Sequence, residues 1–286
     1  MLNNLFKELK VIFDYNSMKL NIGLCQLKIT KNKEENFKNV INEISKLCKL
    51  NVNMVVLPEC WNCPYGIEYF EEYSEDVNNS QSVKLLESLA KKNNIYIIGG
   101  SIPLRDKGNI YNTCFCFNPE GNIIGRYDKI HLFDIEIREF DFSFKESSVL
   151  SSGKNPLIID TIYGKIGIAI CFDLRFPLLA DYYSKNNCKM IIYPGSFSEK
   201  TGPLHWTLLL RTRALDNQCF VIGCSTSKNE NFKYKGYGHS SIINPMGKIV
   251  YEAGEDQIAT NHVINLNEIL EVKRNIPMLN MWSADS

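Results

Sequence analysis

Cys171 stands where the sequence changes from a strand pattern to a helix pattern, a position that suits a nucleophile. The apolar run IGIAI ends directly before it, and a helix is predicted to begin near Arg175, Phe176 and Pro177. A side chain at such a turn is held out of the sheet, and the N–H groups of the next turn point at the same spot. A helix N-terminus there is expected to lower the pKa of the thiol. Strand context alone also fits a buried structural cysteine, because free cysteines are mostly packing residues.

Two charged residues end other predicted strands and are candidates to assist a thiol nucleophile. Glu59 closes MVVLPE, and Lys129 closes the strand that contains GRYDK. Partial burial would raise the pKa of Glu59 and let its carboxyl carry protons, whereas a fixed lysine can stabilise a developing oxyanion. Taken alone, each is equally consistent with an exposed charge, and Glu146 in FKES has the pattern of a surface residue.

Two other kinds of site compete with this interpretation. A cysteine–histidine pair would draw on His131, His205, His239 or His262, but the sequence ICFDLR lacks the signature that surrounds a papain-like nucleophile. A structural zinc site would use Cys60-x-x-Cys63, yet no second pair of ligands lies nearby. We therefore expect no metal and no other cofactor.

Short apolar runs alternate with amphipathic stretches, which is typical of an α/β fold. We predict mixed sheets covered by helices, because hairpins add antiparallel pairs to the pattern. Predicted strands include 20–29, 54–59, 96–103, 190–196 and 220–226, with a strand pair over 157–173 and hairpins at 110–129 and 239–254. Predicted helices cover 32–50, 81–93, 176–187 and 203–218, a strand and helix end the pattern over about 260–275, and residues 130–150 are expected to be irregular. No linker divides the chain, so we expect one domain over 18–286 after an N-terminal extension, 1–17.

Composition excludes several classes of partner. Lys plus Arg and Asp plus Glu number 32 each, so the formal net charge is zero and no basic excess indicates nucleic-acid binding. No apolar run reaches the roughly 20 residues that span a bilayer. Residues 1–17 mix acidic and basic side chains, which argues against a secretory signal and makes a mitochondrial leader the weaker alternative. Ten cysteines without a signal peptide favour reduced thiols and a cytoplasmic location.

Three segments together resemble the nitrilase, or carbon–nitrogen hydrolase, superfamily. LPECWNCPYG contains Glu59, GRYDKIHLFD contains Lys129 and GIAICFDLRFP contains Cys171, in the family's order and each at a predicted strand end. The similarity extends over about residues 19–280. It implies a four-layer α-β-β-α sandwich that forms a homodimer through its central helices. It also implies an amidase in which Cys171 is the nucleophile, Glu59 the proton shuttle and Lys129 an oxyanion stabiliser.

Further segments, 193–221 and 236–250, resemble the ω-amidase branch of this family. The resemblance implies hydrolysis of the terminal amide of α-ketoglutaramate or α-ketosuccinamate, with water as the second substrate. Segment 134–147 is similar to the loop that carries the branch's second glutamate, here Glu146, although Ile137–Asp141 replaces the Pro/Gly-containing stretch of that loop.

Four residues are candidates to contact the substrate. The N–H of Phe172 would join Lys129 at the oxyanion, and Arg175 would pair with a substrate carboxylate, although a structural salt bridge is an equal alternative for an arginine at a helix start. Tyr65 and Phe197 are expected to line the pocket or, alternatively, to be core aromatics. An amidase acting on deaminated glutathione or another small amide or carbamoyl compound, and a non-catalytic binding or regulatory subunit, are the competing functions.

Overall fold

The computed structural model describes residues 18–278. The predicted N-terminal extension, 1–17, lies outside the described residues. Six helices occur in this part of the chain: α1 (Lys33–Cys48), α2 (Ile67–Tyr73), α3 (Gln81–Asn93), α4 (Pro177–Lys185), α5 (Gly202–Asn217) and α6 (Glu268–Asn275). The strands are β1 (Lys19–Gln26), β2 (Met54–Val56), β3 (Glu75–Asp76), β4 (Tyr96–Ile98), β5 (Ile102–Asp106), β6 (Asn109–Phe117), β7 (Ile123–Asp128), β8 (Asp134–Ile137), β9 (Phe142–Lys145), β10 (Leu157–Thr161), β11 (Gly164–Ile168), β12 (Met190–Gly195), β13 (Phe220–Ser225), β14 (Ser241–Ile243), β15 (Ile249–Glu252) and β16 (Ile258–Asn265). No helix within 18–278 is long and apolar enough to cross a membrane.

Two large mixed sheets form the centre of the fold. The first has eight strands in the order β16-β1-β2-β4-β6-β5-β3, with β7 paired to β6, and the second has six in the order β10-β11-β12-β13-β14-β15. One apolar cluster draws residues from both sheets, including Leu20, Ile22, Ile166 and Ile168, so the sheets pack face to face. The predicted α/β fold with mixed sheets is confirmed.

Helices cover the outer face of each sheet and complete an α-β-β-α sandwich. Side chains of α1 and α3, such as Val40 and Leu86, pack on the first sheet. Tyr183 of α4 and Trp206 of α5 pack on the second. Local signals set the helix ends: the Asn32 side chain caps α1 by accepting from the N–H of Glu35, which satisfies a donor that the helix leaves free.

The structure differs from the sequence prediction in several segments, one of which is α2, a helix that the sequence pattern did not predict. The predicted strand 96–103 is two strands, β4 and β5, separated by a turn at 99–101. Gly100 adopts a φ of +61° there, and a Cβ on it would lie 2.1 Å from the carbonyl oxygen of Pro58. Segment 130–150, predicted to be irregular, contains the hairpin β8–β9, which forms a small sheet of its own.

The turn at 99–101 holds the segment that follows β2. The N–H of Ser101 donates to the carbonyl of Pro58 at 3.1 Å, and the Ser101 hydroxyl accepts from the N–H of Cys60 at 3.0 Å. The indole N–H of Trp61 donates to the carbonyl of Gly99 at 2.8 Å. The backbone on both sides of Glu59 is therefore fixed by this turn, which requires glycine at position 100.

Gly100→Ala is expected to lower the free energy of unfolding by about 2 kcal/mol or more, because it adds a backbone clash to an unfavourable positive φ. Chemical denaturation measures this change. Gly108→Ala is the matched control: Gly108 has a φ of +83° with open space around its Cβ position, so only the backbone cost of about 1–2 kcal/mol applies. An equal loss of stability in the two variants would contradict the close approach to Pro58.

Candidate active site

Cys171 lies at a sharp turn between β11 and α4, which we call the elbow (residues 169–175). The strand ends at Ile168, and a 3₁₀ turn runs from Cys171 to Arg175 before Pro177 begins the helix. Cys171 has a φ of +46°, a conformation that non-glycine residues rarely adopt and that clusters at functional sites. Its side chain is buried. The elbow predicted from the sequence is confirmed.

Asp173 ties the elbow to the segment around Lys129. Its fully buried carboxylate accepts from the N–H of Ile170 at 2.9 Å and from the Tyr127 hydroxyl at 2.7 Å. Its Oδ1 also accepts a hydrogen bond from the backbone N–H of His131 at 3.0 Å and lies 2.7 Å from His131 Nδ1. Tyr127 and His131 flank Lys129, so this carboxylate sets the position of the nucleophile relative to the lysine.

Lys129 lies between two carboxylates in the interior of the protein. Its Nζ is 2.9 Å from Glu59 Oε1 and 3.0 Å from Glu146, and none of these three side chains is exposed to solvent. An ammonium has three donors, so one N–H remains available for a further acceptor. The structure thus brings the predicted Glu59, Lys129, Glu146 and Cys171 into one cluster.

Further donors hold the two glutamates in place. The Asn112 amide donates to Glu59 Oε1 at 2.9 Å. The Tyr65 hydroxyl donates to Glu146 Oε1 at 2.7 Å, and the N–H of Phe133 donates to Glu146 Oε2 at 2.6 Å. Glu59 Oε2 is buried and makes no hydrogen bond within 3.5 Å, but the carboxyl group still interacts with the Cys171 thiol. This oxygen remains available to accept a further hydrogen bond.

Burial and the neighbouring charges together determine the pKa values in the cluster. Burial raises the pKa of the Cys171 thiol well above its ordinary value, and the charge of Glu59 adds to this effect. Burial also raises the pKa of Glu59, partly offset by Lys129. Burial lowers the pKa of Lys129, but the charges of Glu146 and Glu59 outweigh it and hold that pKa well above its usual range. The prediction of a lowered thiol pKa is wrong, because burial beside a carboxylate outweighs the lowering effects of Lys129 and the Ser196 backbone on that pKa, so the proton rests on sulfur.

A small cavity adjoins Cys171. Three of the predicted substrate-contacting residues, Phe172, Arg175 and Phe197, line it; the others are Phe133, Cys171, Ser198, Thr201 and Tyr234. Tyr65 instead lines a neighbouring cavity with Cys60 and Cys63, and its hydroxyl holds Glu146.

Arg175 brings a positive charge to the cavity without a carboxylate beside it. Its guanidinium lies 5.1 Å from the ring centroid of Phe197 and 5.6 Å from that of Phe172. Both terminal nitrogens lie 3.2 Å from His205 Nδ1. No Asp or Glu within 18–278 forms a salt bridge with it, so the structural ion pair considered from the sequence is absent from the described chain.

The histidines make contacts away from the thiol. His131 stacks on Phe176 and contacts Asp173, and His205 contacts Arg175. His239 stacks on a tyrosine, as does His262. Burial and the nearby carboxylate are the main influences on the Cys171 pKa. Among residues 18–278, no group of three or more His, Cys, Asp or Glu is arranged to hold a metal ion.

Aromatic side chains close the site on one side. Tyr234 packs against Tyr65 with ring centroids 4.6 Å apart, and Phe144 of the β8–β9 hairpin stacks on Tyr65 at 5.4 Å. The Tyr234 hydroxyl donates to the carbonyl of Ser196. Sequence reasoning missed this aromatic cap, and it missed Asn112 and Asp173, although each interrupts a mostly apolar segment.

Comparisons with known proteins identify the family of this chain. The carbon–nitrogen hydrolase family model matches residues 21–274. The human omega-amidase NIT2 is 39% identical over 264 residues, which cover 92% of this chain and 95% of that protein. Nitrilase homolog 2 of Dictyostelium discoideum is 46% identical over 262 residues, covering 91% and 79%. The crystal structure of Saccharomyces cerevisiae Nit3, a member of branch 10 of the nitrilase superfamily, superimposes with a TM-score of 0.84 at 39% identity and covers 91% of this chain and 95% of its own.

Proposed function

Because this chain belongs to the carbon–nitrogen hydrolase family, we propose that it is an ω-amidase. It hydrolyses the terminal amide of α-keto-acid amides, such as α-ketoglutaramate and α-ketosuccinamate, to the α-keto dicarboxylic acid and ammonia. Relatives that carry the name omega-amidase support this assignment. The observation that carries it is Arg175, a cation without an acidic partner that shares a cavity with a buried thiol.

Acylation begins with the proton on sulfur. Cys171 attacks the amide carbon while Glu59 takes the thiol proton, so the nucleophile becomes charged only as the bond to carbon forms. Glu59 then gives this proton to the amide nitrogen. The C–N bond breaks, ammonia leaves and a thioester remains on Cys171.

Lys129 stabilises the negative charge that develops on the amide oxygen. Two of its donors are directed at Glu59 and Glu146, and the third is directed at the oxyanion together with the N–H of Phe172. Loss of one such donor costs on the order of 3 kcal/mol in an acyl-transfer enzyme. The ammonium stays protonated throughout, because its two carboxylate neighbours keep its pKa high.

Deacylation reverses the proton transfers. Glu59 takes a proton from water as the water attacks the thioester, and the departing sulfur recovers that proton. Glu146 holds Lys129 in position during both steps, since its two oxygens are fixed by Tyr65 and Phe133. Side chains and backbone N–H groups carry every proton and charge, so the proposed reaction needs no cofactor.

Arg175 provides the recognition of the α-keto acid end. An arginine pairs with a carboxylate through two parallel hydrogen bonds, and the interaction strengthens in a dry cavity. The hydroxyls of Ser198 and Thr201 line the same cavity and supply neutral donors. A substrate with its amide at Cys171 and its carboxylate at Arg175 therefore satisfies both ends.

Cys171→Ala is expected to reduce ammonia release from α-ketoglutaramate by at least about 10³-fold, because the covalent route is lost. The fold remains, since one buried atom is removed. Intact-mass measurement of the wild-type protein during turnover should detect the thioester, and the variant should show none. Cys188→Ala, also a buried cysteine but remote from the cavity, is the control and keeps its activity.

A substrate panel distinguishes the alternatives. Turnover of deaminated glutathione without turnover of α-ketoglutaramate would replace the ω-amidase assignment by another amidase activity. Full activity in Cys171→Ala would contradict the mechanism. Absence of turnover and of a thioester with every amide or carbamoyl compound would indicate a non-catalytic binding subunit.

Arg175→Met is expected to lower kcat/KM for α-ketoglutaramate by about 10- to 100-fold, because a charge-assisted hydrogen bond to the substrate carboxylate is lost. Its effect on the methyl ester of the same substrate should be small, because the ester offers no carboxylate. Arg274→Met, which removes an exposed arginine of α6, is the control. Equal losses on the acid and the ester would exclude Arg175 as the carboxylate site.

We propose a homodimer formed through α4 and α5. These helices expose Leu178, Leu204 and Leu208 by 80%, 57% and 62%, and large apolar side chains exposed to water on neighbouring helices favour association. Leu178→Arg combined with Leu208→Arg should shift the sedimentation coefficient from dimer to monomer. Ile162→Arg, at an equally exposed aliphatic residue elsewhere, should not. A wild-type monomer would refute the proposal.

We also propose a cytoplasmic location. The ten cysteines are all free thiols, which fits a reducing compartment.

A further inference from the structure

Asn112 is a buried polar residue on an otherwise apolar face of β6. It shares this face with Cys114 and Cys116, which belong to the core between the sheets. Its side chain has no exposed surface, and its Oδ1 has no hydrogen-bond partner. Burying an unpaired amide oxygen costs stability, so an apolar residue of similar size would suit the packing better.

The remaining contacts of Asn112 lead to the two groups that assist the nucleophile. Its Nδ2 donates to Glu59 Oε1 at 2.9 Å. Its backbone carbonyl accepts from the N–H of Lys129 at 2.9 Å. One residue therefore fixes the Glu59 side chain and the Lys129 backbone relative to each other, across 53 positions of sequence in the first case.

These contacts give the two oxygens of Glu59 different roles. Oε1 accepts from Asn112 and from Lys129, both at 2.9 Å, whereas Oε2 is buried without a hydrogen bond. A carboxylate held by two donors on one oxygen cannot rotate without losing both. We propose that Asn112 is a positioning residue that fixes Glu59 so that Oε2 is the atom that exchanges a proton with Cys171.

The same hydrogen bond adjusts the basicity of Glu59. Burial raises the pKa of this carboxyl group. A neutral donor on Oε1 favours the ionised form and so opposes the effect of burial. Loss of the Asn112 amide would raise the pKa further, and a larger fraction of Glu59 would be protonated, and inactive as a base, on the acidic side of the pH profile. The role rests on the proposed function, because it assigns Glu59 as the base.

Two substitutions separate positioning from space filling. Asn112→Leu has a similar volume but no donor. Asn112→Asp is isosteric, removes the amide donor and places a like charge beside Glu59. We expect kcat to fall about 10- to 100-fold in Asn112→Leu with little change in KM, since Asn112 does not line the cavity. We expect the acidic limb of the kcat/KM profile to move to higher pH in both variants, and further in Asn112→Asp.

Thr113→Val is the matched control. Thr113 is the next residue of β6, is equally buried on the opposite face and also donates one side-chain hydrogen bond, to Asp128 at 2.7 Å. Its removal should lower the thermal unfolding temperature while leaving the acidic limb in place. Near-wild-type activity in Asn112→Asp, or unmoved limbs in both Asn112 variants, would overturn the proposal and leave a packing role.

A second readout keeps this test independent of the substrate. Iodoacetamide alkylates Cys171, and peptide mass mapping measures the rate of this reaction across a pH series. The rate depends on transfer of the thiol proton. In Asn112→Leu the acidic limb of this pH–rate profile should shift to higher pH, and an unchanged limb would again overturn the proposal. If the wild-type protein hydrolyses no amide, the proposed function fails, yet the alkylation series still decides whether Asn112 sets the basicity of Glu59.

Discussion

The burial of Lys129 between Glu59 and Glu146 is the interaction on which the rest of the structure depends. Removing each ion from water costs several kcal/mol, and the cost is offset only when every charge keeps close partners. The three side chains are contributed by separate segments of the chain, after β2, after β7 and after β9. The sheet, the turn at 99–101 and the β8–β9 hairpin must therefore all be correctly formed before these charges can be buried together.

This cluster also determines the state of the nucleophile. Two carboxylates and one ammonium leave a net negative charge beside Cys171, which disfavours a thiolate and keeps the proton on sulfur. A resting thiol is less reactive toward adventitious electrophiles than a thiolate. In the proposed reaction, the thiol reacts only when an amide places its carbonyl carbon at the sulfur and its oxygen at Lys129, so the chemistry is coupled to the arrival of substrate.

The sequence predicts the parts of the site that local patterns encode. The ends of α1, α3, α4 and α5 are within one or two residues of prediction, because caps such as Asn32 act through neighbouring backbone groups. Cys171 could be placed at an elbow because a strand pattern stops there. The partners of Asn112 and Asp173 could not be predicted, since their hydrogen bonds join residues 53 and 42 positions apart, and no local period reports such pairing. The break at Gly100 was missed for the same reason: the carbonyl that demands a glycine belongs to Pro58.

The charge arrangement also gives the proposed reaction a direction. The amide end of the substrate is neutral, so it can approach the negative cluster of Glu59, Lys129 and Glu146 without repulsion. Hydrolysis converts that end into a carboxylic acid, which is ionised at neutral pH and then lies beside two buried carboxylates at short range. Like charges in a buried site repel strongly. In the proposed binding mode Arg175 pairs with the far end of substrate and product alike and does not discriminate between them, so the cluster itself disfavours the product that it has helped to form.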